Sequence, residues 1–283
     1  MPTTVDRYRW ELARQSLGET TDRFAPLVRS APPERLVTAD WTVADTAAHV
    51  GVLLALDAAL AHSEQLPLPG AAQAIYEEAT VDKVADFNAA VLDGLPERSR
   101  DELAEQIRAD AARFLDRSAS LDPDTPLPWL GRSTLPVAGL VAHMVNELQI
   151  HGRDVARAVG AAWPVAPAEA ALFFELFLLG IIRHDYAGLL DTPGPEPDTR
   201  AAIEFRSRHT TTVTLRLEHG RVTIAEPSTA PDARVRFDPV ILNLMLFGRV
   251  SRLRAVLSGR IRISGPRPWL VPAFLRKVRM PSG

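Results

Sequence analysis

The sequence predicts a mainly α-helical protein, with a helical bundle at the N-terminus and a smaller α+β unit at the C-terminus. Apolar residues recur with a period near 3.6 in most segments up to residue 189, as in amphipathic helices. Residues 191–198 hold three prolines and a glycine, and the following residues alternate in polarity and are rich in β-branched side chains. We therefore divide the 283-residue chain into a bundle at 1–190, a linker at 191–199 and an α+β unit at 200–283.

The N-terminal part predicts helices joined by loops short enough for antiparallel neighbours. Thr42 and Asp45 have the spacing of a capping box, and Trp41 before them is a candidate hydrophobic staple. Pro136 suits a first helical turn and Gly160 a helix end, whereas residues 122–128 predict a rigid loop. The predicted helices span 5–29, 43–64, 80–94, 98–119, about 133–159 and 166–189.

The C-terminal part predicts short strands and helices in alternation. Gly220 separates two strands in the manner of a hairpin turn. The predicted strands span 202–205, 211–217, 221–225, 235–237 and 260–264, and the predicted helices span 239–247 and 267–278.

The composition excludes several kinds of site. The chain has no cysteine, which rules out disulfides, cysteine-ligated zinc, iron–sulfur clusters and a cysteine nucleophile. Any thiol chemistry must therefore come from a bound small molecule. The first ten residues lack the apolar stretch of a signal peptide, and the longest apolar run, 165–182, contains two glutamates. We expect a cytoplasmic protein with no membrane span.

The charge is unevenly distributed along the chain. Thirty of the 32 basic residues are arginines, a composition typical of GC-rich genomes such as those of actinobacteria. After Asp238 the chain has eight arginines, one lysine and no acidic residue. Such a segment suits a nucleic-acid or membrane patch, the wall of a pocket for an anionic ligand, or a partner for the acidic N-terminal part.

Histidines and a glutamate share one face of the predicted helix that ends at Gly160. Glu147 and His151 are four residues apart, and His143 lies one turn earlier. His49 lies on the helix that begins after Thr42, so two histidines and a carboxylate could hold Zn²⁺, Fe²⁺ or Ni²⁺ with one position left open. The alternative is a buried glutamate hydrogen-bonded between two histidines.

The two motifs resemble those of the mycothiol-dependent maleylpyruvate isomerase family. They are Trp41-Thr-Val-Ala-Asp45-x3-His49 and Glu147-x3-His151-Gly-Arg-Asp154-Val-Ala-Arg157. The resemblance extends over nearly the whole chain. It implies a DinB-like four-helix bundle followed by a small α+β domain related in shape to sterol-carrier folds.

By position, the resemblance implies that His49, Glu147 and His151 are the metal ligands. Zn²⁺ is the expected metal and mycothiol the expected thiol cosubstrate. His143 is not one of the ligands that the resemblance implies; it is expected to support them from behind, and the alternative is that it belongs to a different ligand set. The metal-bound thiolate would attack an electrophilic, anionic small molecule. An isomerase would add it to a C=C bond, allow rotation and release it, whereas an S-transferase would release the adduct. We expect Arg249, Arg252 or Arg260 to bind the anionic group.

Two other functions stay open on the sequence alone. The bundle could keep a vestigial metal site and serve as a non-catalytic binding module with a basic C-terminal surface. Nucleic acid is disfavoured as its partner, because the basic segment has few aromatic residues to stack on bases. A zinc hydrolase is the second alternative, although only His143 offers itself as a general base. We expect a monomer.

Overall fold

The computed structural model describes residues 5–95, 99–191, 199–225 and 230–280. It confirms the predicted fold class, with a helical N-terminal part followed by an α+β part. The helices of the N-terminal part are α1 (Arg7–Ser30), α2 (Val43–His62), α3 (Gly70–Glu77), α4 (Val84–Asp93), α5 (Arg100–Ala119), α6 (Val137–Val159), α7 (Pro167–Leu172) and α8 (Leu179–Arg183).

Four long helices form the bundle. Helix α1 packs against α5 and α6, and α2 packs against the same two helices. Capping boxes begin α2 at Thr42 and α5 at Ser99, and each satisfies two backbone donors that a helix start leaves free. Phe24, Phe114 and Leu148 are fully buried in the core between the helices. The four long helices therefore form where the apolar periodicity predicts helices.

A small hairpin precedes α6, where a rigid loop and the start of a helix were predicted. Strands β1 (Pro126–Trp129) and β2 (Ser133–Pro136) pair antiparallel, with Pro126 opposite Pro136. In a two-stranded sheet both strands are edges, where proline is tolerated. The prediction of a helix start near Ser133 is thus wrong, and the helix begins at Val137.

The predicted helix at 166–189 is interrupted and shorter. Between α7 and α8, residues Phe173–Leu178 form a π-helical turn in which the amide of Leu179 donates to the carbonyl of Phe174. The wider turn leaves Phe173 and Phe177 stacked, with ring centroids 4.8 Å apart. Such turns often occur at functional sites.

The α+β part is built on one five-stranded sheet with strand order β5-β4-β3-β6-β7. Its central strands β3 and β6 are parallel, and the other pairs are antiparallel. The elements are β3 (Ala201–Arg206), β4 (Val213–Glu218), β5 (Arg221–Ala225), β6 (Ala233–Phe237), α9 (Pro239–Leu246), α10 (Arg252–Leu257), β7 (Ile261–Ser264) and α11 (Leu270–Lys277). Helix α10 was not predicted, and neither was α3.

Buried polar contacts join the two parts. Asn243 on α9 donates to the side chain of Asn146 on α6 at 3.1 Å and to the carbonyl of Ala170 at 3.0 Å. The amide of Val222 on β5 donates to the hydroxyl of Tyr186 at 2.7 Å. The α+β part thus lies beside α6–α8. Most of the predicted linker, residues 192–198, lies outside the described residues, so the domain boundary stays a prediction.

Among the described residues, α2 alone has the length and hydropathy of a membrane span. In this structure 67% of that apolar window is buried within the protein, which is typical of a core helix.

Candidate metal centre

Two histidines and a glutamate meet where α2 packs against α6. The Nε2 atom of His151 lies 3.2 Å from Oε2 of Glu147, and Nε2 of His49 lies 3.5 Å from the same oxygen. All three side chains are buried, and one donor atom from each lies within 4.8 Å of the others. Within the described part of the chain, no other group of histidines and carboxylates meets this criterion. The donor set fits a divalent cation such as Zn²⁺.

The surroundings favour the protonation states that a metal requires. Burial lowers the pKa of His49, which keeps its imidazole neutral. Burial alone would raise the pKa of Glu147, but His151 and His49 outweigh it and hold that pKa well below its usual range. Neutral imidazoles and an ionised carboxylate are the forms that ligate a cation.

Trp41 covers the cluster from the loop before α2. Its ring centroid lies 4.8 Å from that of His49 and 5.9 Å from that of His151, nearly parallel to the latter ring. It was predicted to be a hydrophobic staple; in the structure the indole contacts the two imidazoles. Trp41 therefore restricts both rings and shields one side of the cluster from water.

His143 lies behind Glu147, as the sequence suggests. Its Nε2 atom is 3.6 Å from Oε1 of Glu147, and its Nδ1 atom is 3.8 Å from Oδ2 of Asp57 on α2. Burial lowers the pKa of His143, but the nearby Asp57 and Glu147 raise it by more. Burial raises the pKa of Asp57. His143 contacts the carboxylate oxygen that faces away from His49 and His151, so it is not one of the three clustered donors.

A cavity of about 340 Å³ opens beside the cluster. The cluster, His143 and Asp57 all line it, and so do side chains from the α+β part, Phe247, Arg249 and Met280. The site is therefore formed by both parts of the protein. Its volume suits a small organic molecule.

Of the three arginines predicted to bind an anionic group, one lines the cavity and two do not. Arg249 lines the cavity, and it also donates to Asp154 on α6. Arg252 is exposed, and Arg260 pairs with Asp238 at 2.6 Å; neither lines the cavity. The basic segment thus finds carboxylate partners outside itself, and Arg267 and Arg279 pair in the same way with Asp232 and Asp82.

Several other residues of the cavity were not predicted from the sequence. Asp57 had a signal, because it is the one carboxylate of α2 beyond the first turn, in a largely apolar sequence. Tyr76 belongs to the unpredicted helix α3, and burial raises the pKa of its hydroxyl well above the ordinary value. Trp129 and Phe177 had no sequence signal, because the hairpin and the π turn place them.

A comparison with known protein families gives a match over the part of the chain that holds this cluster. The sequence profile of the mycothiol maleylpyruvate isomerase N-terminal domain matches residues 13–156, which are 144 of the 283 residues and include the whole cluster. No curated protein matches the chain.

Two similar solved structures cover 91% of this chain and 92% of their own. A crystal structure of a mutant mycothiol-dependent maleylpyruvate isomerase is 13% identical, with a TM-score of 0.48. Another structure of the mycothiol-dependent maleylpyruvate isomerase is 14% identical, with a TM-score of 0.44. On the profile match, which covers more than half of its residues, the chain belongs to the mycothiol maleylpyruvate isomerase N-terminal domain family.

Proposed function

We propose that this protein is a metal-dependent enzyme that uses mycothiol to attack an electrophilic small molecule. The reaction is a cis–trans isomerisation of the kind that the family name describes, or a transfer of the thiol to the electrophile. The observation that carries the proposal is the buried His49–Glu147–His151 cluster in the wall of a cavity. It lies inside the segment that matches the family.

His49, Glu147 and His151 would hold the metal, and Zn²⁺ suits their mixture of nitrogen and oxygen donors. A bound dication lowers the pKa of a coordinated thiol, so the thiol is deprotonated near neutral pH. The chain has no cysteine, so a thiol nucleophile has to come from a cosubstrate. This requirement agrees with the mycothiol in the family name.

The chain's own residues would do three things. Trp41 keeps water away from one side of His49 and His151 and limits the rotation of their rings. His143, with Asp57 behind its Nδ1, would hold a proton on Nε2, the nitrogen that faces Glu147. Arg249 would orient the substrate through a carboxylate or carbonyl oxygen, since it lines the same cavity.

The test is an assay of the zinc-loaded protein with mycothiol and two electrophiles, maleylpyruvate and 1-chloro-2,4-dinitrobenzene. An isomerase converts the cis-dioate to the trans isomer and leaves the free-thiol concentration unchanged. With the chloroarene, a C–S bond forms, the C–Cl bond breaks, chloride leaves with the bonding electrons and the thiol proton passes to solvent. One thiol is then consumed for each chloride released.

The matched control is Glu147→Gln, which keeps the shape of the side chain and removes its charge. We expect it to abolish both reactions together with zinc binding. Wild-type zinc protein that accelerates neither reaction over a panel of electrophiles would contradict the proposal. In that case the non-catalytic binding module predicted as the alternative would be favoured.

A further inference from the structure

We propose that the electrophile is a flat, apolar and conjugated or aromatic molecule with at most one carboxylate, and not a small dicarboxylate. The inference rests on the proposed function, because it names the substrate class of the same site. It follows from two features of the cavity: aromatic rings form much of its lining, and few cationic side chains line it.

One wall of the cavity is a continuous series of rings. Phe177 stacks on His143 with centroids 5.2 Å apart and on Phe173 with centroids 4.8 Å apart. Trp129 meets both His143 and Phe177 edge-to-face, at 5.4 Å and 5.3 Å. Phe247 continues the series from the α+β part, 5.5 Å from Phe173. Aromatic walls of this kind favour a planar guest by offset-stacked and edge contacts.

The rest of the lining is also poor in groups for a highly charged molecule. Trp41 lies on the side of the metal cluster, and apolar side chains cover much of the remaining wall, together with the uncharged polar side chains of Thr38, Tyr76 and Asn88. The further apolar lining residues include Leu53, Leu56, Phe87, Ile150 and Met280. A small dicarboxylate would lose its hydration in such a cavity without gaining apolar contacts.

Arg249 is the one arginine that lines the cavity among the described residues, and the lining includes no lysine. Its Nε and Nη2 atoms donate to Asp154 at 2.9 Å and 2.7 Å, and its Nη1 atom donates to the carbonyl of Phe247 at 2.6 Å. A guanidinium has five N–H donors, so two stay free for a ligand. Two donors suffice for one carboxylate or carbonyl oxygen, and Asp154 already balances the charge.

The lining also holds three acidic side chains, Asp40, Asp57 and Glu147, and Asp40 would repel a dianion. A dication at the metal cluster would be offset by Glu147 and by the thiolate of the cosubstrate, so it would leave no excess positive charge for a second carboxylate. The lining thus favours a substrate that carries little net charge.

The test measures binding to the zinc-loaded protein by calorimetry with three unreactive carboxylates. Butyrate has one carboxylate and no ring, succinate adds a second carboxylate, and 2-naphthoate adds rings to one carboxylate. Any contact between carboxylate and metal is common to all three. We expect 2-naphthoate to bind at least about tenfold more tightly than butyrate, since its rings bury more apolar area. Succinate should bind no more tightly than butyrate.

The variant Phe177→Leu removes one ring while it keeps most of the apolar volume. It should weaken 2-naphthoate about three- to tenfold, the range expected for an aromatic pair, and leave butyrate unchanged. Trp10→Leu is the matched control, because Trp10 lies on α1 beside Arg14 and does not line the cavity. Tighter binding of succinate than of 2-naphthoate, or a Phe177→Leu variant that behaves like wild type, would overturn the inference.

Turnover assays of the zinc-loaded protein with mycothiol distinguish a failure of this inference from a failure of the proposed function. Tight binding of 2-naphthoate without turnover of any electrophile supports the ligand preference of the cavity and contradicts the proposed enzyme. Turnover of maleylpyruvate with a kcat/KM above that of 1-chloro-2,4-dinitrobenzene contradicts the substrate class and supports the enzyme. A higher kcat/KM for the chloroarene, lowered by Phe177→Leu, supports both.

Discussion

Arg249 donates from both Nε and Nη2 to the same carboxylate oxygen of Asp154, at 2.9 Å and 2.7 Å. The two side chains are only 12% and 8% exposed. Asp154 lies three residues after His151 on α6, whereas Arg249 follows α9 in the α+β part. The ion pair therefore joins the α+β part to the helix that carries two of the three clustered donors.

Breaking this pair should destabilise the protein in a non-additive way. We expect Arg249→Met and Asp154→Asn each to lower the free energy of unfolding by about 2–3 kcal/mol, because each leaves a largely buried group without its partner. The double variant should lose less than the sum, with a coupling energy of about 1–3 kcal/mol. Urea unfolding of the wild type, the two single variants and the double variant gives the free energies for this double-mutant cycle. Strictly additive losses would show that the contact adds nothing to stability.

The metal cluster makes a second prediction. His49→Ala, Glu147→Gln and His151→Ala should each weaken zinc binding by more than the ~10–100-fold that follows the loss of an outer partner of a metal site. The reason is that three donors leave no substitute within the cluster. The measurement is the zinc content of dialysed protein, together with a competitive titration against a chelator of known affinity.

His143→Ala is the control for this experiment. It removes a histidine from the same helix face, but one that contacts Glu147 through the oxygen that faces away from the other two histidines. Its zinc affinity should fall by no more than the ~10–100-fold of an outer partner. If His143→Ala loses as much zinc as His151→Ala, the assignment of the ligands is wrong.

Much of this cluster could be predicted because its geometry is local. Glu147 and His151 are neighbours on any helix, and the capping box at Thr42 fixes where α2 begins and so which face carries His49. Packing of α2 against α6 then brings the faces together. The long helices could be predicted for the same reason, because apolar periodicity is also a local property of the sequence.

The rest depends on contacts between distant parts of the chain. Asp57 meets His143 across two helices, and Asp154 meets Arg249 across 95 residues, so no spacing in the sequence reveals either pair. The hairpin before α6 was missed because proline in a strand is exceptional outside an edge. The π turn that places Phe177 has no sequence signature that we could use.

A third prediction concerns Gly152, the residue after His151. A Cβ atom built on Gly152 would lie 2.2 Å from Cζ2 of Trp163, whose ring is held by the guanidinium of Arg23 at 4.4 Å. Such a distance is far inside van der Waals contact, so Gly152→Ala should cost about 1–3 kcal/mol of unfolding free energy as overpacking. Thermal unfolding measures the loss.

Gly51→Ala is the matched control, since Gly51 also lies inside a long helix of the bundle. Its added Cβ would meet Ile107 at an ordinary 3.6 Å. Alanine is the better helix former, so this variant should gain up to about 1 kcal/mol. A Gly152→Ala protein as stable as Gly51→Ala would mean that Trp163 moves aside without cost.

The last prediction concerns pH and the end of the described chain. Arg279 donates from Nε and Nη2 to the two carboxylate oxygens of Asp82, both at 2.7 Å. This pairing lowers the pKa of Asp82 below its ordinary value of 3.8. A carboxyl group whose pKa is lower in the folded than in the unfolded state adds stability above the unfolded value. The contribution is lost as the pH falls through the folded value.

Asp82→Asn should therefore lower the unfolding free energy at pH 7, and the difference from wild type should shrink as the pH falls below 3.8. The side chain of Asp82 is 51% exposed, so solvent screens the pair and the difference at pH 7 should stay below about 1 kcal/mol. It should also shrink in 1 M salt, where the screening length is only ~3 Å. The control is Asp86→Asn, an exposed aspartate on the same helical segment. Urea unfolding at pH 7 and pH 3 makes the comparison, and a difference that grows on acidification would contradict an ion pair.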